Sequence, residues 1–212
     1  MSLRVSEIFY SLQGEAARAG LPAVFVRLTG CPLRCRWCDS AYAFSGGWEM
    51  ALADVLDEVQ GYAVPRVCVT GGEPLMQAEC LDLLTALADR GYDVVLETSG
   101  ALDIAPVDPR IARVMDLKAP DSGEEGSNRW ENLRHLNPRD EIKCVIASRR
   151  DYEWARAAIG AHRLEVLCPL LMLPAHGLIE PRLLAEWILA DALPVRFQMQ
   201  FHKLLWGNMR GR

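Results

Sequence analysis

Short apolar runs alternate with longer amphipathic stretches along most of the chain, and this alternation limits the folds it can adopt. The apolar runs are rich in β-branched residues, are bounded by Gly or Pro, and predict buried strands at 23–28, 66–69, 94–98, 114–117, 142–147, 164–167 and 195–201. Apolar residues at helical spacing predict helices at 50–59, 81–88, 152–159 and 183–189. Because parallel strands need long return connections, which helices supply while covering the sheet, the pattern predicts an α/β fold with a parallel sheet.

The length of the chain bears on how far such a sheet can close. A complete eight-unit (TIM-type) barrel needs about 250 residues, whereas this chain has 212. Two connections, 101–109 and 120–128, are too polar or Pro-rich for long helices. We therefore expect a single domain over residues 1–212, folded as an incomplete, partly open TIM-type barrel with parallel strands.

Composition excludes several classes of protein. Hydrophobic residues make up 50% of the chain and charged residues 24%, which is typical of a globular protein with a packed core. The net charge of -5 gives no long-range attraction for a polyanion, so no nucleic-acid partner is expected. Residues 1–20 lack the apolar segment of a signal peptide, and no run of apolar residues is long enough to span a membrane. The sequence therefore predicts a cytoplasmic protein without a membrane partner.

The cysteines fall into two groups. Their total of seven is odd, and a chain of this size needs no disulfide staples, so reduced thiols are expected. Cys31, Cys35 and Cys38 lie within eight residues. The other cysteines are scattered singly in apolar surroundings and are expected to be small buried hydrophobes rather than ligands; they are Cys68, Cys80, Cys144 and Cys168.

The clustered cysteines have the spacing of metal ligands. They lie in a loop at 29–40, directly after a predicted strand, where active sites of α/β folds gather. Three thiolates from one loop can converge on one face of a cuboidal iron-sulfur cluster and leave one iron open for another ligand. The alternative is a zinc-binding interaction module without catalysis, although structural zinc usually has four ligands and no histidine lies near the loop.

The cysteine spacing, CxxxCxxC, resembles the signature of the radical S-adenosylmethionine superfamily. Residues 70–74 read Thr-Gly-Gly-Glu-Pro and are similar to the superfamily's GGE motif, which holds the amino group of the methionine moiety. Glycines let a backbone approach a ligand closely, and a carboxylate accepts from an ammonium. The resemblance implies a radical SAM fold, a 4Fe-4S cluster with three Cys ligands, and S-adenosylmethionine as cofactor.

The same resemblance implies a set of cofactor contacts. Most of them follow predicted strands or flank the cysteines. Ser99 and Lys118 have simpler alternatives as a turn residue and a solvated loop charge. The set comprises Trp37, Asp39, Gly72, Glu73, Ser99, Lys118 and Ser148.

Four further segments resemble the 7-carboxy-7-deazaguanine synthase family. They are SLQGE at 11–15, FVR at 25–27, CDS at 38–40 and FHKLLWG at 201–207, so the resemblance spans nearly the whole chain. It implies a lyase that converts 6-carboxy-5,6,7,8-tetrahydropterin to 7-carboxy-7-deazaguanine with loss of ammonia, on the route to queuosine and other 7-deazapurines of modified tRNA. A glycyl-radical-enzyme activase, or another radical SAM enzyme, is the alternative.

Substrate contacts are expected at both ends of the chain. A pterin has a flat edge of amide and amine groups, and the backbone at Leu12 and Gly14 and the amide of Gln13 offer matching donors and acceptors. The planar fork of Arg27 suits the substrate carboxylate. The remaining expected contacts are Glu15, Thr70, and, in a C-terminal substrate-site segment at 195–212, Gln200 and His202.

Two positions depart from the pattern of the family. The family holds a magnesium ion through a hydroxyl after the last cysteine; this position is Ser40 here, where the family commonly has threonine. Ala16 replaces a glycine that usually follows Gln-Gly-Glu, which bears on backbone flexibility. The resemblance also implies an electron donor such as flavodoxin and a homodimer.

Overall fold

A computed structural model describes all residues from 1 to 212. The strands are β1 Ser2–Leu12, β2 Pro22–Leu28, β3 Trp48–Ala51, β4 Arg66–Gly71, β5 Asp93–Thr98, β6 Ala112–Leu117, β7 Glu141–Ile146, β8 Leu170–Pro174 and β9 Arg196–Phe197. The helices are α1 Leu52–Gly61, α2 Cys80–Asp89, α3 Arg149–His162, α4 Pro181–Ala190 and α5 Phe201–Trp206. Short 3-10 turns occupy several connections.

All nine strands form one sheet in the order β3-β1-β2-β4-β5-β6-β7-β8-β9. From β2 to β9 every neighbouring pair is parallel, while β1 is antiparallel to both β2 and β3. The edge strands β3 and β9 do not pair with each other, so the sheet stays open. The predicted α/β fold with an incomplete parallel barrel is confirmed.

Helices α1 to α4 pack on the sheet and enclose the main hydrophobic core of 33 buried residues. In α2, for example, Leu83, Leu84 and Leu87 are fully buried, because their spacing places them on one side of the helix. Pro181 opens α4 in its first turn, where the missing N–H of proline leaves no helical hydrogen bond unmade. None of the helices combines the length and apolar character that a membrane crossing requires.

The predicted strand at 164–167 is wrong. Helix α3 ends at His162, the next residue Arg163 has a left-handed backbone with a φ of 50°, and a 3-10 turn follows at Leu164–Val166. Val166 is 61% exposed, which an inner strand of this sheet would not allow. The strand that pairs with β7 is instead β8, which is buried along its whole length.

The C-terminal prediction is correct only in part. The predicted strand at 195–201 is reduced to two residues in β9, and α5 begins at Phe201, so His202 and Lys203 lie on a helix. The edge strand β3 and the whole of β1 were not predicted from the sequence. These segments lie at the margins of the sheet, where only part of each strand is buried and the apolar pattern is weak.

The loop between β1 and β2, residues 13–21, fills the end of the partial barrel where the parallel strands begin. Ala16 packs with apolar residues of β5, β6 and β8. The side-chain amide of Gln198 accepts from the Ala16 N–H at 2.6 Å and donates to the Ala16 carbonyl at 3.1 Å. The loop therefore bridges the open side of the barrel, which the strands themselves leave unpaired.

Ala16 has a left-handed backbone with a φ of 67°, a conformation that glycine adopts more readily than alanine. We expect Ala16→Gly to change the free energy of unfolding by less than about 1 kcal/mol, because relief of strain offsets the lost packing. Ala16→Val should destabilise the protein by about 2 to 4 kcal/mol, because a branched side chain is strained in this conformation and overpacks the core. Urea denaturation measures both.

Ala192 provides the matched control, because it has a φ of 46° but is exposed. Ala192→Val carries the backbone strain without the overpacking, so it should destabilise less than Ala16→Val does. Equal effects at the two positions would contradict the buried role of Ala16.

Candidate active site

The carboxyl ends of the parallel strands open into a cavity of about 670 Å³. The loop at 29–40 forms one part of its wall, and the C-terminal segment forms another. Of the site residues predicted from the sequence, all line this cavity except Glu73 and Ser148. The lining members are Leu12, Gln13, Gly14, Glu15, Arg27, Cys31, Cys35, Trp37, Cys38, Asp39, Ser40, Thr70, Gly72, Ser99, Lys118, Gln200 and His202.

The three clustered thiols are half-buried in the cavity wall. Their loop is held by the turn after β4, because the Glu73 N–H donates to the Gly30 carbonyl at 2.7 Å. A Cβ atom at Gly72 would lie 2.3 Å from the Gly30 oxygen and 2.6 Å from the Cys31 Cβ, so only glycine allows this contact. The GGE segment thus packs directly against the cysteine loop.

The donor set fits an iron-sulfur cluster better than a single metal ion. Thiolates around one zinc ion, at about 2.3 Å each, lie within about 4 Å of one another. No three His, Cys, Asp or Glu side chains are arranged to hold one ion in this way. The three thiols nevertheless belong to one loop and line one cavity, so they could serve as ligands to one larger cuboidal cluster. The other four cysteines are buried, as expected.

Glu73 does not line the cavity. Its fully buried carboxylate accepts from the Thr98 hydroxyl at 2.9 Å, the Ser99 N–H at 2.6 Å and the Leu75 N–H at 3.1 Å. The carboxylate therefore ties the end of β5 to the turn after β4 and fixes Ser99, which does line the cavity. The Glu73 side chain thus positions a residue of the cavity wall and does not itself reach the cavity.

Ser148 also lies outside the cavity, because it caps helix α3. Its hydroxyl accepts from the Asp151 N–H at 3.3 Å and donates to Asp121 at 2.5 Å. Lys118, in contrast, points into the cavity and lies 3.1 Å from Asp116, so it is not the solvated loop charge that the alternative reading allows.

Glu97 is a site residue that the sequence analysis did not single out. It accepts from the Gln13 amide at 2.8 Å and from the Thr70 hydroxyl at 2.9 Å, and it lines the cavity. Each carboxylate oxygen keeps a lone pair for a ligand, so Gln13 and Glu97 together present a row of polar groups to a flat polar edge. The available signal was an acidic residue inside the apolar run of β5.

Lys143 is a second missed residue. Its ammonium lies 2.7 Å from Glu15 and 3.6 Å from Asp116, and Gln200 donates to the other oxygen of Glu15 at 2.8 Å. Burial opposes the charge of Lys143, but the carboxylates of Glu15 and Asp116 raise its pKa well above the ordinary value. A lysine inside the buried strand β7 was the signal.

The C-terminal helix α5 contacts the cysteine loop in the wall of the cavity. Asp39 lies 3.5 Å from His202 and 3.6 Å from Lys203. Burial would raise the pKa of Asp39, but these two side chains lower it below its ordinary range. A Cβ at Gly14 would lie 2.3 Å from His202 Nδ1, so glycine allows the imidazole to pack on the loop between β1 and β2.

Arg27 and an aromatic pair form the wall near β1 and β2. Arg27 donates through Nε to Glu7 at 2.7 Å. Phe9 and Phe25 stack in parallel, with their ring centroids 4.9 Å apart and an interplanar angle of 6°. All three of Phe9, Phe25 and Arg27 line the cavity, which gives this wall a flat apolar surface beside a cationic fork.

Comparison with known proteins agrees with this geometry. Residues 25–119 match the sequence profile of the radical SAM superfamily. The chain is 47% identical over 207 residues to the 7-carboxy-7-deazaguanine synthase of Chlorobaculum tepidum, covering 96% of this chain and 94% of that protein. It is 43% identical over 219 residues to the synthase of Koribacter versatilis, covering 96% and 97%.

Solved structures show the same relationship. The crystal structure of QueE from Escherichia coli superposes with a TM-score of 0.80 at 27% sequence identity, over 95% of each chain. The Streptococcus suis SuiB structure bound to S-adenosylmethionine shares the fold, with a TM-score of 0.55 at 15% identity over 80% of this chain and 44% of that one. The chain belongs to the 7-carboxy-7-deazaguanine synthase family within the radical SAM superfamily.

Proposed function

We propose that this protein converts 6-carboxy-5,6,7,8-tetrahydropterin to 7-carboxy-7-deazaguanine with loss of ammonia. One observation carries the proposal: the three clustered thiols and the Arg27 guanidinium line the same cavity, together with the Gln13–Glu97 pair. The full-length similarity to proteins named for this activity supports it.

The family implies a 4Fe-4S cluster and S-adenosylmethionine as cofactors, and Cys31, Cys35 and Cys38 would hold the cluster. When bound, the cluster supplies the electron that cleaves S-adenosylmethionine, which is the source of the radical chemistry. Gly72 and Ser99 line the cavity beside the thiols and would contact the cofactor there. Lys118 keeps its charge in the buried site because Asp116 lies 3.1 Å away.

The protein binds both polar ends of the substrate, the carboxylate and the edge of amide and amine groups. Arg27 binds the carboxylate through charge-assisted hydrogen bonds from its planar fork. Glu97 accepts from the amino group and the ring N–H of the pterin, while Thr70 and Gln13 hold the carboxylate of Glu97 in place. The stacked rings of Phe9 and Phe25 border the flat ligand.

Other groups close the cavity. The contacts of Asp39 with His202 and Lys203 hold α5 against the cysteine loop. Gln200, just before α5, bonds to the Glu15–Lys143 pair and so holds the start of this helix. Exclusion of water from the cavity protects reactive species from side reactions. An electron donor such as flavodoxin, a homodimer and a cytoplasmic location belong to the same proposal.

Product formation tests the proposal directly. The reconstituted protein is incubated anaerobically with 6-carboxy-5,6,7,8-tetrahydropterin, S-adenosylmethionine and dithionite, and we expect 7-carboxy-7-deazaguanine and ammonia in equal amounts. Lack of product from a protein with a full iron complement would refute the assignment and favour an activase or another radical enzyme. A colourless protein that binds one zinc per chain would instead favour a non-catalytic module.

We further propose that Ser40 is a ligand of a magnesium ion. Its hydroxyl lies 3.7 Å from Cys38 Sγ and makes no capping bond to the following 3-10 turn, so it is free to bind a ligand. Magnesium commonly takes few protein oxygens and completes its shell with water or substrate oxygens. We expect Ser40→Ala to lower kcat/KM by about tenfold or more, in line with the loss of one well-placed oxygen ligand.

Two comparisons separate the metal from the hydroxyl. Ser40→Thr keeps the oxygen and should retain near-normal turnover and a normal response to magnesium. Ser40→Ala should respond only weakly to added magnesium. If Ser40→Ala kept the full magnesium response, the ligand assignment would be wrong.

A further inference from the structure

Strand β1 contains a bulge that places Glu7 beside Arg27. In the antiparallel pairing of β1 with β2, Val5 lies opposite Leu28 and Glu7 lies opposite Arg27, so Ser6 is an extra residue without its own partner. Directly opposed residues of an antiparallel pair share one face of the sheet. A bulge shifts the following side chains to the other face, which here turns Glu7 toward Arg27.

The two side chains form a shielded ion pair. Glu7 accepts from Arg27 Nε at 2.7 Å, and the two side chains are only 17% and 16% exposed. Tyr42 donates its hydroxyl to the same oxygen of Glu7 at 2.6 Å. Glu7 is therefore held from two sides, by β2 and by the 3-10 turn after the cysteine loop.

This pair determines which nitrogens of Arg27 are free. Nε is its single donor group bonded to a protein acceptor, and both terminal nitrogens lack a protein partner. A guanidinium can grip a carboxylate through Nε and one terminal nitrogen, or end-on through both terminal nitrogens. With Nε taken, the end-on grip is the one left for a ligand in the cavity.

The surroundings of Arg27 reinforce this orientation. Its guanidinium carbon lies 6.0 Å from the ring centroid of Phe9 and 5.8 Å from that of Tyr42. Burial would lower the pKa of Arg27, but the carboxylate of Glu7 raises it, so the group stays charged. No other carboxylate forms an ion pair with Arg27.

We propose that Glu7 is a positioning residue, which holds the Arg27 fork by Nε so that its terminal nitrogens grip the carboxylate of the substrate. This inference rests on the proposed function, because it takes a carboxylated pterin as the ligand. Glu7 would thus contribute to the recognition of the carboxylate without contacting the ligand itself.

The test compares two ligands that differ only in the carboxylate. Binding of 6-carboxypterin and of pterin is measured by anaerobic titration calorimetry on the reconstituted protein with S-adenosylmethionine, in wild type and Glu7→Gln. Glutamine keeps the shape but loses the charge that fixes the fork. We expect Glu7→Gln to weaken the binding of 6-carboxypterin by about tenfold, because the charged acceptor that orients Arg27 is lost. The affinity for pterin should stay within about twofold of that of wild type.

The controls separate a positioning role from general damage. Glu58→Gln, on the exposed face of α1, makes the same chemical change and should alter neither affinity. Tyr42→Phe removes one of the two donors to Glu7 without removing its charge, and should weaken 6-carboxypterin by about threefold, with pterin unaffected.

Equal weakening of both ligands in Glu7→Gln, or no weakening of either, would overturn the role of Glu7 while the proposed substrate stands. If wild type itself bound 6-carboxypterin no better than pterin, the carboxylate would not be recognised. That result would count against both the substrate assignment and the inference that rests on it. The product assay tests the substrate assignment independently of this binding experiment.

Discussion

Cys38→Ala is expected to lose its iron-sulfur cluster and all detectable turnover. The cavity offers three thiols and no further thiol in its wall, so removal of one leaves two ligands for a cluster that already has one iron without cysteine. After anaerobic reconstitution, iron should fall from about four atoms per chain in wild type to near zero in the variant. Iron analysis and the product assay measure the two losses independently.

A buried cysteine outside the loop provides the control. Cys144 is 4% exposed in β7 and belongs to the hydrophobic core. Cys144→Ala should lower the free energy of unfolding by about 1 to 2 kcal/mol, as for a small core truncation, while iron content stays normal. Retention of iron by Cys38→Ala, or loss of iron from Cys144→Ala, would contradict the division of the cysteines into two groups.

Arg27→Ala is expected to lower kcat/KM by about 100-fold or more, which corresponds to about 3 kcal/mol of lost charge-assisted hydrogen bonding to the substrate carboxylate. It also leaves Glu7 without its cationic partner in a shielded site, so the free energy of unfolding should fall as well. Steady-state kinetics with the carboxylated pterin measure the first effect, and urea denaturation measures the second.

Arg27→Lys separates the two consequences. Lysine keeps a positive charge for Glu7 but loses the planar fork, so stability should largely recover while kcat/KM stays at least about tenfold low. Arg66→Ala is the control for loss of an arginine elsewhere, because Arg66 lies at the start of β4, outside the cavity. A kcat/KM of Arg27→Lys equal to that of wild type would contradict bidentate recognition.

The central part of the fold follows from the sequence because its strands are buried on both faces. Runs such as 23–28 and 66–69 are continuous and apolar, which is typical of parallel strands covered by helices. In β1 the bulge between Val5 and Glu7 interrupts the alternation of buried and exposed residues, so the strand carries no regular period. The run from 164 to 174 holds a turn and a strand, and composition alone did not show where one ends and the other begins.

The site was predictable where its chemistry is local in sequence. The cysteine spacing and the two glycines after β4 lie in short segments whose geometry depends on neighbouring residues. Glu97 and Lys143 depend on partners far away: Lys143 pairs with Glu15 across 128 positions. A buried charge within an apolar strand indicates such a partner without identifying it. Glu73 illustrates the converse, since its motif marks the site but its carboxylate is used by Thr98 and Ser99.

A crystal structure of the reconstituted protein with S-adenosylmethionine and 6-carboxypterin tests the central claim most directly, namely that one cavity holds both ligands. We expect the cofactor on the cluster held by Cys31, Cys35 and Cys38, and the pterin carboxylate within hydrogen-bond distance of the terminal nitrogens of Arg27. A pterin bound outside this cavity, or bound with its carboxylate turned away from Arg27, would contradict the account.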